Sequence, residues 1–236
     1  MARLPRLVLP NQPLHIMHRG NNRQNIFENE EDMARILNDI AESLAKADCQ
    51  LHAYVIMTNH LHLLLTPKDK HELAVFMQSM ANRYVRYFNV SRQRTGTIWE
   101  GRFKSCLIDS DNYLFALYKY IEMNPVKAEM VKAIQEYPWS SYHHNALGEQ
   151  DQLITEHPLY LALAASKEER ANHYKLMMDK MALGKMNQKI TDATLRGEAL
   201  GNESFQHWVC KQTGRAAVLK THGGDRKSTK YQNQVG

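Results

Sequence analysis

The sequence predicts a mixed fold of strands and helices, and two observations predict it. Residues 51–66 alternate with a period of two and read as a hairpin, while the segments on either side carry apolar residues at three- and four-residue spacing and read as long helices. Past residue 147 the pattern is helical and patchy, ending in a basic tail, which divides the chain into residues 1–146 and a helical C-terminal region, 147–236.

Residues 1–13 hold Pro5, Pro10 and Pro13 and read as an extended arm. Leu14–His18 is a short strand, closed by Arg19-Gly20-Asn21-Asn22-Arg23. That run is turn chemistry, and its two arginines either reach a phosphate or face solvent. Glu30–Ala47 is a helix, with Met33, Ile36, Leu37, Ile40 and Leu44 as its apolar stripe and Asn29 as its N-cap. Glu30, Glu31 and Asp32 suit the positive end of the helix dipole.

In the hairpin, Leu51–Met57 and His60–Leu65 are strands and Thr58-Asn59 the turn. Side chains alternate across a strand, so Leu61, Leu63 and Leu65 share one face and His60 and His62 the other. The two imidazoles stand roughly 6.5–7 Å apart at Cα, close enough to hold one metal ion. An ordinary half-exposed strand face is the alternative. A second helix, Glu72–Asn89, buries Leu73, Phe76, Met77, Met80, Tyr84 and Tyr87. From its second half onward come Arg83, Arg86, Arg92, Arg94, Arg102 and Lys104, opposed only by Glu100 and interleaved with Tyr84, Tyr87, Phe88, Trp99 and Phe103. Basic groups among aromatics suit single-stranded nucleic acid, through phosphate attraction and base stacking. Core aromatics beneath a solvated basic face are the alternative.

Ser105–Asp109 reads as a strand and Asn112–Met123 as a helix capped by Ser110 or Asp111, with Leu114, Leu117, Tyr118 and Ile121 buried. Tyr120 lies off that stripe, on a face shared with Tyr113, Ala116 and Asn124. Asn124-Pro125 stops the helix, because a residue before proline avoids helical geometry. Pro125–Ile134 starts another short helix, and the aromatic segment Tyr137–Tyr142 leads to a boundary near Ala146–Gly148. Four helices follow, over His157–Ala165, Lys167–Leu183, Lys189–Leu195 and Asn202–Thr213. The last two, joined across Arg196–Gly201, make either a helix-turn-helix or a plain helical hairpin. From Gly214 the tail sets Arg215, Lys220, Arg226, Lys227 and Lys230 against Asp225, and disorder without DNA is expected there.

The 236 residues are 43% hydrophobic, enough for a core, and carry a net charge of +5, which fits a polyanionic partner. Cys49, Cys106 and Cys210 form no CxxC pair, so a disulfide framework is not expected and a reducing cytoplasm fits. No signal-peptide pattern and no apolar run of membrane-spanning length is present, so no membrane partner is expected.

Taken in order, His15–Arg23, the Leu51–Leu65 hairpin, Trp99-Glu-Gly-Arg-Phe-Lys-Ser105, Tyr120-Ile-Glu-Met-Asn-Pro-Val126 and Trp139-Ser-Ser-Tyr142 resemble the REP-associated tyrosine transposases, single-tyrosine transposases of the HUH endonuclease superfamily. The resemblance covers about residues 12–145; Thr58 departs from it, since relatives usually carry proline there. It implies an α+β core, a ferredoxin-like antiparallel sheet with helices on one face. It implies His60 and His62 as metal ligands, Tyr120 as the nucleophile and Asn124 as the third ligand. The implied reaction is attack of Tyr120 on a DNA phosphodiester, leaving a 5′-phosphotyrosine, at single-stranded and hairpin DNA of REP-like repeats. The implied ion is Mg²⁺ or Mn²⁺, although imidazole ligands favour softer metals than magnesium. A monomer is favoured over a dimer, with the helical tail covering the surface another copy would use. Arg19, Arg23, Arg83, Arg86, Arg92, Arg94, Arg102 and Lys104 are the expected DNA contacts. A histidine-triad hydrolase would need a third histidine where Leu64 stands, and a DNA-binding regulator that no longer cuts is the rival of another class.

Overall fold

The computed structural model describes residues 5–219; the basic tail from Lys220 on lies outside them. The chain runs β1 (Leu14–Arg19), α1 (Glu30–Leu44), β2 (Cys49–Ile56), β3 (His60–Pro67), α2 (Lys70–Ser91), β4 (Lys104–Ile108), α3 (Ser110–Glu122), α4 (Asn124–Lys127), α5 (Tyr142–Leu147), α6 (Pro158–Leu161), α7 (Lys167–Lys180), α8 (Met186–Arg196), β5 (Ala199–Leu200) and α9 (Glu203–Thr213). Strand order is β2-β3-β1-β4-β5. The first four strands pair antiparallel in the βαββαβ order of a ferredoxin-like unit, and β5 adds in parallel to β4.

Local chemistry accounts for the element ends. The Asn29 side chain caps α1 by accepting from the Asp32 amide at 2.9 Å. Asp69 accepts from the His71 and Glu72 amides at 2.7 and 3.0 Å, so α2 begins at Lys70, before the expected Glu72. The residue before α3 is Asp109, not Ser110 or Asp111. The helix expected over Pro125–Ile134 shrinks to α4, because Glu129 takes a left-handed φ of 56° that a helix cannot propagate.

The leucine alternation does what its period predicts. Leu61, Leu63 and Leu65 pack with Leu14 and Ile16 under α1 and α2, against Ile36, Ile40, Phe76 and Met80. Leu64, with Val55, Cys106 and Ile108, faces the opposite side, beneath Leu117, Tyr118 and Ile121 of α3 and Ile190 and Ala193 of α8. The two helices of the ferredoxin-like unit therefore share one face, and α3 with the C-terminal helices covers the other.

The boundary expected near residue 146 does not separate one core from another. Ile190, Ala193 and Leu200 join the core under α3, while Ala199 and Val209 join the one under α1 and α2. Glu122 of α3, fully buried, accepts hydrogen bonds from Ser141, Asn145 and Tyr174 at 2.7, 2.8 and 2.6 Å, which ties α5 and α7 to α3. The expected turn between the last two helices contains β5 instead. Helices α8 and α9 are thus separated by a sheet strand, and neither a helix-turn-helix nor a helical hairpin forms. Two residues are too few to show a strand period, which is why the sequence pattern missed it.

Candidate active site

The sheet register builds the site. Arg19 pairs with His60, Met17 with His62 and His15 with Leu64, so His15, Met17 and Arg19 share the face of the two histidines. Lys104 pairs with Met17 from the other side and joins them. Over this face α3 lays Tyr120. Its ring centroid is 5.7 Å from that of His62 and 5.5 Å from that of His15, both edge-on, and the His60 and His62 rings are 4.9 Å apart. A phenol from a late helix and two imidazoles from an early hairpin therefore meet.

Hydrogen bonds fix the rings. The Asn59 amide nitrogen donates to the Arg23 carbonyl at 3.0 Å, which orients its oxygen toward His60. That oxygen only accepts, so at 2.6 Å the His60 Nδ1–H donates and Nε2 keeps its lone pair. His62 Nδ1 is 2.8 Å from His15 Nε2, and His15 Nδ1 is 2.7 Å from the Thr194 hydroxyl of α8. Tyr120, 9% exposed, has its hydroxyl 3.1 Å from Thr191 of the same helix. Thr191 directs its own proton to the Asn187 carbonyl, so the Tyr120 hydroxyl donates. The Lys127 ammonium lies 4.5 Å from the Tyr120 ring centroid and donates to Asn187 Oδ1 at 2.6 Å.

Burial sets the charge state. It holds His60 down to about 4, helped by the Arg19 charge, and holds His62 well below the ordinary imidazole value, helped by His60. Burial raises the Tyr120 phenol above its ordinary value. Desolvation, with the charge of Lys119, brings the Lys127 amine down to about 8.

The donor set fits a divalent ion. Both histidines are neutral, and each has Nδ1 hydrogen-bonded, which leaves the Nε2 lone pair free to bind an ion. Among the described residues no group of three or more His, Cys, Asp or Glu side chains is placed to hold a metal. The structure brings the two imidazoles together, while Asn124 begins α4, one turn beyond Tyr120. Asn124 donates its amide nitrogen to the Tyr120 and Ile121 carbonyls at 2.7 and 3.2 Å, which leaves the lone pairs of Oδ1 outside those two bonds.

The basic residues expected to contact DNA split across the sheet. Arg19 and Lys104 are on the site face, Arg19 in an ion pair with Glu100 at 2.7 Å. Arg23 and Arg102 are exposed in adjoining loops. Arg83, Arg86, Arg92 and Arg94 are on or just beyond α2, across the sheet. Two of these four are braces: Arg83 holds buried Asp39 at 3.0 Å, and Arg92 holds buried Asp32 at 2.5 Å. Arg86 is exposed, and Arg94 lies 5.6 Å from the Phe88 ring centroid. Sequence reasoning passed over Thr191, Thr194 and Lys127. A threonine inside a helix carries no signal until the fold sets something against it. His15 was visible as a polar residue in β1, but not its partner across the sheet.

Residues 9–124 match the family model described as Transposase IS200 like. A Haemophilus influenzae protein that bears the name REP-associated tyrosine transposase is 32% identical over 107 residues, which are 41% of this chain and 61% of that protein. The chain thus spans about three fifths of that relative's length. Among solved structures, a REP-associated tyrosine transposase bound to a REP hairpin matches with a TM-score of 0.53 at 18% identity, over 66% of this chain and 93% of that one. At that identity the likeness is one of fold.

Proposed function

We propose that the chain belongs with the IS200-like transposases, near the REP-associated tyrosine transposases, and that it is a metal-dependent single-strand DNA endonuclease and strand transferase whose nucleophile is Tyr120. The observation that carries the reading is the meeting of the Tyr120 ring with His62, 5.7 Å between centroids, beside His60. The relative whose solved structure holds a REP hairpin supports a substrate of the same kind, a palindromic hairpin with a flanking single strand.

Nε2 of His60 and His62, with Oδ1 of Asn124, would hold the divalent ion, Mg²⁺ or Mn²⁺; when bound, it supplies Lewis-acid withdrawal of charge from a phosphate oxygen. Tyr120 Oη leaves its hydrogen bond to Thr191 and forms a bond to phosphorus as the P–O3′ bond breaks. The phenol proton is lost, the departing 3′-oxygen gains one, and the 5′ side stays on the tyrosine as a phosphodiester. Because the number of phosphoester bonds is unchanged, a second 3′-hydroxyl can reverse the step and complete strand transfer. Burial opposes ionisation of the phenol, and the Lys127 charge beside its ring opposes that effect. Arg19 and Lys104 draw the phosphate backbone onto the site face. The protein acts as a monomer, with α3 and α8 over the face where the site lies.

Incubation of a labelled single-stranded hairpin DNA with the protein and Mn²⁺ should give nicking and a covalent protein–DNA adduct that survives denaturation. Tyr120→Phe should abolish both and leave hairpin binding intact. Cleavage by that variant would mean another nucleophile, and wild-type binding without nicking would leave a DNA-binding regulator. His60→Ala with His62→Ala should remove metal-dependent nicking, and unchanged activity would end the metal assignment.

A further inference from the structure

The contacts behind His62 allow one arrangement of protons. Thr194 Oγ1 lies 2.7 Å from the Ile190 carbonyl oxygen and 2.7 Å from His15 Nδ1. Two oxygens that close are attractive only with a proton between them, and a carbonyl has none to give. The single proton of Thr194 therefore points at Ile190. Its oxygen must then accept from His15 Nδ1–H. The Cys106 thiol, 3.2 Å away, can supply the second hydrogen bond that this oxygen accepts. Neutral His15, with its proton on Nδ1, presents a bare Nε2 to His62 at 2.8 Å, so His62 must donate from Nδ1. Nε2 of His62 is left with a lone pair. Every member of the chain is buried: Thr194 is 2% exposed, His15 0% and His62 2%.

We infer that Thr194, on C-terminal helix α8, is a positioning residue: through His15 it holds His62 in the Nδ1–H form, with Nε2 ready as a metal ligand. The purpose of this relay rests on the metal reading proposed above; the order of its protons does not. Groups behind a metal-bound histidine commonly set which ring nitrogen is free and how the ring is turned. Here His60 takes its order locally, from Asn59. His62 takes it from a residue outside the ferredoxin-like unit, 132 positions later in the chain. The same helix accepts the proton of Tyr120 at Thr191, three residues before Thr194. The C-terminal helix is therefore involved in the site's chemistry as well as its cover.

The test uses the whole chain, labelled with ¹⁵N-histidine and freed of metal. Long-range ¹H–¹⁵N spectra should show His15 and His62 protonated at Nδ1 and bare at Nε2. Thr194→Val keeps the side-chain shape and removes the acceptor, so the His62 signal should shift toward the Nε2–H form. Mn²⁺ affinity, measured with the metal alone, should then fall about tenfold. Thr194→Ser restores the hydroxyl and should restore both readings. A wild-type spectrum with the proton on His62 Nε2 would overturn the inference without any variant, so a Thr194→Val protein that fails to fold leaves it testable. Wild-type tautomers and Mn²⁺ affinity in a folded Thr194→Val protein would also overturn it. Expected ring protons in a wild-type protein that takes up no Mn²⁺ would instead defeat the metal reading, and with it the purpose of the relay, while the proton order stands.

Discussion

Beneath α1 and α2 the buried charged groups are the carboxylates of Asp32 and Asp39, and arginines meet them. Asp39, with no exposed side-chain surface, is held by Arg35 at 3.1 Å and Arg83 at 3.0 Å; Asp32, equally buried, is held by Arg92. Beneath α3 and α8 the groups that meet around Tyr120 are neutral imidazoles, threonine hydroxyls, the phenol itself and the Lys127 ammonium, which has no carboxylate partner among the described residues. Ion pairs consume both partners. A neutral imidazole bonded at one nitrogen still offers the other. One face thus uses its polar groups to hold two helices together, and the other keeps ligand atoms and a nucleophile in reserve. The contrast also divides the basic residues: charge that looks like a nucleic-acid surface in the sequence is, at Arg83 and Arg92, already committed to buried acids.

The largest effect should come from acid, which attacks what the two faces share: imidazoles buried in the neutral form. Burial lowers His15 on the site face to about 3, and His18 under the other face and His52 at the β2 bulge each to about 4. In the unfolded chain they titrate near 6.5. Between those values the unfolded state binds more protons, so stability is complete above pH 6.5 and falls as pH drops toward 4. Each residue contributes a slope of ~1.4 kcal/mol per pH unit, or up to ~4 kcal/mol per unit for the three together. Urea unfolding of metal-free protein at pH 7, 6 and 5 measures it. A flat profile would mean that these rings find solvent or a counter-charge in the folded protein.

Two substitutions should then separate the faces. Asp39→Asn removes a charge that two arginines share. Because both arginines are about a third exposed and can turn to water, the cost is ~2 kcal/mol, below that of a fully buried pair. Urea unfolding should show that loss, while nicking per folded molecule stays the same. Lys127→Met should do the reverse. It keeps the aliphatic stem against Tyr120 and removes the charge near the developing phenolate, so single-turnover nicking should slow about tenfold with stability unchanged. If Asp39→Asn slowed nicking at constant stability, the face of α1 and α2 would belong to the chemistry as well.

Where function and folding used the same local signal, the sequence was legible. His60 and His62 stood out because the leucines between them fixed the strand period, and the burial of those leucines under α1 and α2 turned both histidines to the other face. Asn29 was readable as a cap because its partner, the Asp32 amide, is three residues away. Tyr120 was placed off the buried stripe, yet α8 buries it, because that stripe was drawn without knowing that a C-terminal helix would return over α3. Thr191 and Thr194 gave no signal for the same reason. Each bonds to a carbonyl four residues earlier, as helix threonines often do, and their second partners come from strands and helices far away in sequence.

The smallest expected effect tests whether the division of basic residues extends to DNA. Lys104 shares the site face through its pairing with Met17, while Arg86 is exposed on α2 across the sheet. Each phosphate neutralised releases a counterion, so losing one contact lowers the slope of log affinity against log salt by about one and weakens binding only a few-fold at moderate salt. Lys104→Ala should show both changes on a single-stranded hairpin DNA, and Arg86→Ala neither, measured as binding isotherms across a salt series. Equal loss from the two variants would mean that the DNA reaches around the sheet to α2. Of the aromatic residues interleaved with Arg83–Lys104, Tyr84, Phe88 and Trp99 are buried in the core, so a stacking role would fall to half-buried Tyr87 and Phe103, and the faces would differ in chemistry but not in what they touch.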